Sequence, residues 1–484
     1  MIVFILSTSM LYSCSDSNST DNSINPDSAD NSPDSVDLQE ETAKDIGYEY
    51  GGPKLDFKGE AFVILYPEWS LYLEYYFAEE EIGDAMNDAL YKRIVNAEEF
   101  FNIKIQTRAV ATVDHIEPEI SKEVLSGTNS IDIALTHCIS GHSSIVSKNY
   151  AYNWHNMPNV DFTKKYWNQS AIDELSINGY MPFPVNDFII PDPCFITFSK
   201  DLVREYGLES PYELVKSGKW TWDKLSEMAK QVSRDLDGDG QFTDADLYGF
   251  VGELDWQFIN LMYACDQRLM KKDTDGRYVL DVNTPKTKSI VEKLYDLLYV
   301  GNQSFPYQFE AFNKNLPYVP FDSGRALFYM NQPSFVKVLR ATEFDFGILP
   351  YPKYNEQQKN YVTLNWAGTI CAPLNISNPE KVGAVAEYLG AISHEIVKPV
   401  YYDILLNGKV TRDEESKEML DIIYGDSIYD FGLNFSSSDL LYIVPWLLKD
   451  KSTDVTSYYE RRANAVQLQY DKIYDAFIEN SKEW

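Results

Sequence analysis

The folded part of the chain announces itself near residue 55, where residues 61–66 (AFVILY) are continuously apolar and read as a buried strand. Residues 83–101 then place Met86, Leu90, Ile94, Ala97 and Phe101 every three or four positions, the spacing of a helix with one apolar face. Strands over 103–107 and 131–135, with a helix between them, complete a β-α-β-α-β order, which predicts a sheet covered by helices on both faces. A second set starts at Phe195 (FITFS) and continues through helices over 222–232, 256–264 and 285–299. Strands over 326–330, 344–349 and 369–373 follow, then helices over 379–393 and 457–480. There is no internal repeat. No Pro/Gly-rich linker separates the two sets, so the fold class is α/β with two interleaved lobes, the chain crossing between them more than once.

The start of the chain has a different pattern. Residues 1–12 (MIVFILSTSMLY) are apolar but shorter than the ~20 residues of a spanning helix, which fits the core of a signal peptide. Leu11-Tyr12-Ser13-Cys14 resembles a bacterial lipobox, although Tyr12 stands where a small residue is usual and no Lys or Arg precedes the core. Residues 15–42 are Ser, Asp, Asn, Thr and Pro with scattered acids, a composition that cannot offset its ordering entropy by burial. The expected organisation is therefore a signal peptide over 1–13, then a lipid anchor on Cys14 and a disordered tether over 14–54. Lobe 1 is assigned to 55–186 plus 327–375, and lobe 2 to 187–326 plus 376–484.

At 484 residues the chain is long enough for two or more domains. Its 42 basic against 74 acidic residues give a net charge of −32, which repels phosphate backbones and sets nucleic acid aside as a partner. The 35 Tyr, 25 Phe and 9 Trp exceed what a core needs and suggest a recognition surface. Beyond Cys14, only Cys138, Cys194, Cys265 and Cys371 remain, with no CxxC spacing, and they read as small buried hydrophobes.

The sharpest local motif is residues 235–246 (DLDGDGQFTDAD), which fits a twelve-position calcium loop. Asp235, Asp237 and Asp239 supply carboxylates, Gly240 allows the wrap, Gln241 offers its backbone carbonyl, and Asp246 stands where many such loops have Glu. Ca2+ there would brace a loop; the alternative is an acidic solvated turn. Lys219-Trp220-Thr221-Trp222-Asp223 reads as a helix start with Thr221 as N-cap. Trp69, Trp167, Trp256 and Trp366 sit beside polar residues near strand ends, as rings that stack on sugars do, though each fits core packing as well. His137 and His142 lack a nearby carboxylate for metal binding, His394-Glu395 lacks the second His of HExxH, and no nucleophile or phosphate-loop motif is present.

Five stretches, NDALYKR (87–93), YWNQSA (166–171), GKWTWD (218–223), FGILPYPK (346–353) and GKVTRDEES (408–416), together resemble bacterial extracellular solute-binding lipoproteins of family 1, the group that includes maltose-binding protein. The resemblance runs from about Phe57 to the C-terminus and implies a two-lobe periplasmic-binding-protein-like fold, with a ligand cleft at the hinge and no chemistry of its own. It further implies an extracytoplasmic, lipid-anchored monomer, on a Gram-positive cell membrane, that hands a carbohydrate to an ABC permease. By position in that fold Glu68, Trp69, Thr136, His137, Trp167, Asp187, Asp255, Trp256 and Trp366 are the expected ligand-binding residues. A peptide or polyamine as solute, a surface glycan hydrolase and a surface scaffold remain alternatives.

Overall fold

Two four-stranded sheets, each with its own helices, make up the body of this computed structural model. It describes residues 49–484 except 69–75, 253–256, 306–320, 322, 333–343, 367, 408–413, 426 and 436–438. By their contacts residues Tyr48–Trp484 group as one unit; the other, Met1–Gly47, lies outside the described residues, and with it the expected signal peptide, Cys14 and most of the tether.

The first sheet has β1 (Glu60–Pro67) at its heart, parallel to β2 (Ile103–Val110) on one side and β3 (Ile133–Thr136) on the other. Phe62, Ile64 and Leu65 on adjoining strand positions are all fully buried, so both faces of β1 are covered and its run is continuously apolar instead of alternating. Helix α1 (Ala85–Phe101) connects β1 to β2; Asp84 caps it by accepting the Asn87 amide at 3.0 Å, and Asn102 ends it at φ 48°. Its buried face is Met86, Ala89, Leu90, Arg93, Ala97 and Phe101. The expected Ile94 is only half-buried, and an arginine takes the interior position beside it. Helix α2 (Ile116–Ser126) leads to β3 and ends on Gly127 at φ 66°.

The second sheet runs β5 (Tyr248–Val251), β6 (Ala326–Asn331), β4 (Phe195–Ser199), β7 (Phe346–Leu349), with β5 parallel to β6 and β4 antiparallel to both of its neighbours. Helices α3 (Trp222–Val232), α4 (Gln257–Ala264) and α5 (Pro285–Tyr299) belong to this half. Thr221 caps α3 by accepting the Lys224 amide at 3.3 Å, as its sequence position predicted. Cys138, Cys194, Cys265 and Cys371 are free and buried, in keeping with their reading as small hydrophobes.

The lobe boundaries need correction. β6 and β7 pair with β4, so residues 327–331 and 346–349 belong to the second sheet, and among the described residues the chain returns to the first with β9 (Thr369–Cys371), antiparallel to β3. Helix α6 (Pro379–Ile392), assigned to lobe 2, lies on the first sheet's side: its Lys381 donates to the Ala61 carbonyl at 2.7 Å and pairs with Asp132 at 3.1 Å. The helix Ala463–Asn480 likewise reaches the first half, where Asn480 donates to the Val146 carbonyl at 2.8 Å.

Three connecting stretches lie side by side between the sheets. Asn365 bridges Pro193, accepts the Asp192 amide at 3.3 Å, and donates its own amide to Ile428 at 2.9 Å. The short parallel pair β8 (Thr363–Leu364) and β10 (Ser427–Ile428) continues this ribbon. Asn186, at the start of the first crossing, donates to the Ala386 carbonyl of α6 at 2.9 Å. A Cβ on Gly390, one turn on, would lie 2.6 Å from the Asn186 side-chain nitrogen. Gly390→Ala is therefore expected to push α6 off the crossing and to cost about 1–3 kcal/mol, read as a lower urea midpoint. Gly425→Ala, where a Cβ meets nothing within 4 Å, is the matched control; equal midpoints for the two variants would show that the crossing is not so tightly held.

Candidate functional site

The strand directions put the same kind of end of both sheets at the hinge. β1, β2 and β3 finish there at Pro67, Val110 and Thr136, and antiparallel β9 starts there at Thr369. In the second sheet β5, β6 and β7 finish at Val251, Asn331 and Leu349, beside the start of β4. In open α/β sheets, ligands lie outside the carboxyl ends of the strands, because backbone amides and the loops that follow are free to face them.

Trp366 joins the two ends. Its indole donates to the Asn260 side chain on α4 at 3.0 Å, and its carbonyl accepts from His137 Nε2 at 2.5 Å. That bond sets the His137 tautomer, leaving Nδ1 to accept the Ile139 amide at 3.4 Å. Behind His137, the Thr136 and Thr369 hydroxyls lie 2.5 Å apart, and His142 Nε2 is 3.0 Å from Thr136 and 3.2 Å from Thr369. His142 is also stacked on Phe183 with centroids 3.9 Å apart. A small pocket opens against this network, walled by Tyr66, Tyr76, Val113, Thr136, His137 and Gly368. Gly368 is required there, since a Cβ would stand 2.8 Å from the Thr136 carbonyl. On the second side Gln332 donates to Asp192 of the crossing at 2.8 Å, and Asn260 donates to the Cys194 thiol at 3.2 Å.

Burial sets the charge states. It pulls the His137 pKa down to about 4 and that of His142 to about 3, so both rings are neutral at pH 7. Arg93 is fully buried and binds oxygens of three segments: Tyr76 at 2.5 Å, Ser393 at 3.1 Å and Phe188 at 3.5 Å. Its guanidinium also stacks 4.5 Å from the Phe188 ring centroid. Burial draws its pKa down to about 9, which still leaves it charged at neutral pH. Arg93 thereby holds Tyr76, a pocket wall, to the crossing.

Of the residues expected to bind ligand, Thr136, His137 and Trp366 do meet at this place. Glu68 is exposed at the end of β1, its amide donating to Val110 at 2.7 Å. Asp187 is engaged by Lys398 at 3.0 Å and by His394, on the turn after α6. Trp167 is a correction: it is 2% exposed, in the core of the first half, and its indole donates to buried Glu387 at 2.8 Å. Its polar neighbour in sequence, Asn168, caps the helix Gln169–Leu175 by accepting the Ala171 amide at 2.9 Å. Trp69, Asp255 and Trp256 lie outside the described residues. Sequence reasoning missed Tyr76, Asn260, Gln332 and Arg93. Only Asn260 carried a signal, lying one helical turn beyond the suspected Trp256.

The acidic loop sits between α3 and β5, at the end of the second sheet away from the hinge. Asp235 accepts the Gly238 and Gly240 amides at 2.7 and 2.8 Å, and Asp239 accepts that of Gln241 at 2.7 Å. One carboxylate oxygen each from Asp235, Asp237 and Asp239 lie within 4.8 Å of one another, a set that suits a hard oxygen-seeking cation. Asp246 is not in that set: it is buried and closes the loop by accepting the Leu236 and Thr243 amides at 2.9 and 2.7 Å.

Comparison with known proteins bears on this architecture. A family model described as bacterial extracellular solute-binding protein matches residues 143–391. Among solved structures, UspC of M. tuberculosis superposes with a TM-score of 0.57 at 14% identity, covering 84% of this chain and 100% of that one. A sugar transporter of Rhizobium etli in an open conformation gives 0.56 at 15% identity, over 87% and 99%. MalE3 of T. maritima, solved with maltose bound, gives 0.52 at 14% identity, over 88% and 100%. At these identities the likeness establishes the two-lobe fold. No curated protein matches the chain.

The neutral histidines carry a pH signature. An unfolded chain protonates each near 6.5, but the folded one does so only near 4 and 3, so between those values the unfolded state binds more protons. Stability present above pH 6.5 should fall as the pH drops towards 4, with His137 contributing on the order of 3 kcal/mol. Urea midpoints across pH 4–8 should fall less steeply for His137→Gln than for the parent; parallel profiles would show that His137 is not held neutral.

Proposed function

Because the chain belongs to the bacterial extracellular solute-binding protein family, we propose that it is the receptor of an ABC importer and captures a carbohydrate in the cleft at its hinge. The observation that carries this is the meeting of both sheets' carboxyl ends at His137, Trp366 and Asn260, where aromatic walls adjoin neutral donors and acceptors. A pyranose offers apolar C–H faces for rings and hydroxyls for such groups. Support also comes from relatives of the same fold: besides maltose on MalE3, a cyclo/maltodextrin-binding protein was solved with maltotetraose and a Listeria monocytogenes substrate-binding protein with cycloalternan. In this reading Trp69, Asp255 and Trp256 complete the cleft, and closure of the lobes on solute creates the surface a permease recognises.

The family places the protein outside the cytoplasm, and no helix among the described residues is long and apolar enough to cross a membrane. Acylation of Cys14 would attach it to the membrane through the acidic tether. The loop over 235–246 would bind Ca2+ through Asp235, Asp237, Asp239 and the Gln241 carbonyl, bracing the connection into β5, with Asp246 holding the loop closed.

The ligand test is thermal unfolding of the purified protein against maltose, maltotetraose, tagatose, short peptides and polyamines. A solute bound only by the folded state adds about 2.7 kcal/mol at 100 times its dissociation constant, so a saccharide should raise the midpoint saturably. A peptide or polyamine hit would replace the solute class and keep the receptor, while hydrolysis of maltotetraose would overturn the receptor reading. For calcium, millimolar Ca2+ should raise the midpoint over EGTA in the parent and not in Asp237→Asn; equal midpoints in the parent would remove calcium from the loop.

A further inference from the structure

The pocket against the His137 network has a size and a chemistry of its own. Tyr66 and Pro67 close β1, Leu135 lies near the end of β3, Val113 opens the turn Val113–His115 after β2, and Tyr76 and Gly368 complete the wall. The three strands thus meet the pocket at their carboxyl ends, the side on which the solute is placed above. Tyr66 alone among the wall residues is not fully buried. The free volume is about 10 Å³, room for one water-sized group. The imidazole and the hydroxyl in the wall are already engaged: His137 uses Nε2 on the Trp366 carbonyl and Nδ1 on the Ile139 amide, and the Thr136 hydroxyl is shared with Thr369 and His142. What remains is apolar surface from Val113, Leu135, Pro67 and the two tyrosine rings. A water there would lack the two to four polar partners that hold a buried water in place.

We infer that this pocket takes a methyl group carried by the bound sugar, either C6 of a 6-deoxyhexose or the end of an N-acetyl arm, with Val113 setting its depth. This rests on the carbohydrate reading above and narrows it to methyl-bearing sugars. A methyl fills the space and brings no hydrogen bond to be satisfied, and its transfer from water to apolar walls is favourable. A hydroxymethyl is larger by one oxygen and gives up its water for groups that are already bonded.

The experiment is calorimetric titration of sugars that differ at one substituent: L-fucose against L-galactose, L-rhamnose against L-mannose, and N-acetyl-D-glucosamine against D-glucose, with maltose as reference. The methyl-bearing member of one pair should bind about tenfold more tightly than its partner and than maltose, the scale on which an apolar pocket separates groups differing by one carbon or one hydroxyl. The pair that shows it tells a 6-deoxy methyl from an acetyl one. Val113→Leu, which fills the space, and Val113→Ala, which deepens it enough for a hydroxymethyl, should each bring that ratio towards one. A purely structural Val113 would weaken both members alike and leave the ratio unchanged. Should leucine block folding, alanine carries the same readout. A parent that binds maltose or the hydroxyl-bearing members as tightly as the methyl-bearing ones overturns the inference and leaves the carbohydrate reading standing. So does a methyl preference that persists in the folded Val113 variants, which would put the methyl elsewhere. If no saccharide binds the parent, the solute class proposed above falls, and the inference with it.

Discussion

Everything else in the molecule depends on how a buried chain gets from one sheet to the other. A crossing strand leaves its own sheet and its hydrogen-bonded neighbours, yet its amides and carbonyls are still enclosed and must be paired. Here the crossings pair with one another. Asn365 serves Pro193, Asp192 and Ile428 together, and Asn186 is tied to α6. The ends of this ribbon fix which way each sheet enters. Both sheets consequently offer their carboxyl ends to the same place, and the site follows from the hinge.

The charge pattern of that place narrows what it can hold. The chain carries a net −32, with 74 acidic residues against 42 basic ones. At the hinge, by contrast, the groups in contact are imidazoles kept neutral by burial, threonine hydroxyls, carboxamides and an indole. Charged groups among the described residues nearby are Asp192, which accepts from Gln332, Asp187, engaged by Lys398 and His394, Arg93, bonded to oxygens of three segments, and Glu68, exposed at the end of β1. Neutral donors and acceptors beside aromatic faces match an uncharged, hydroxyl-rich solute better than an ammonium or a peptide terminus, since an ionised group there would lose its hydration without gaining a counter-charge.

Much of this was legible from sequence where the signal is local. The apolar run of β1, the caps of α1 and α3, and the wrap of the acidic loop are decided by residues within a few positions, and the structure shows each. The pairing of distant strands is not local. β6 and β7 are short apolar runs buried on both faces, and such runs fit either sheet equally well, so only their register with β4 decides. Trp167 misled for a related reason: the carboxylate that satisfies its indole belongs to Glu387, far along the chain. Arg93 lay unnoticed in an apolar face because periodicity predicts hydrophobes there, and the oxygens that make an arginine tolerable come from residues 76, 188 and 393.

Arg93 shows what a buried charge asks of a fold. It is fully buried, and its three bonds to protein oxygens draw the segment before α1, the first crossing and the turn after α6 into one body. Its Nε has no hydrogen-bond partner, so the desolvation is offset in part, and the remainder is carried by the packing of the segments it joins.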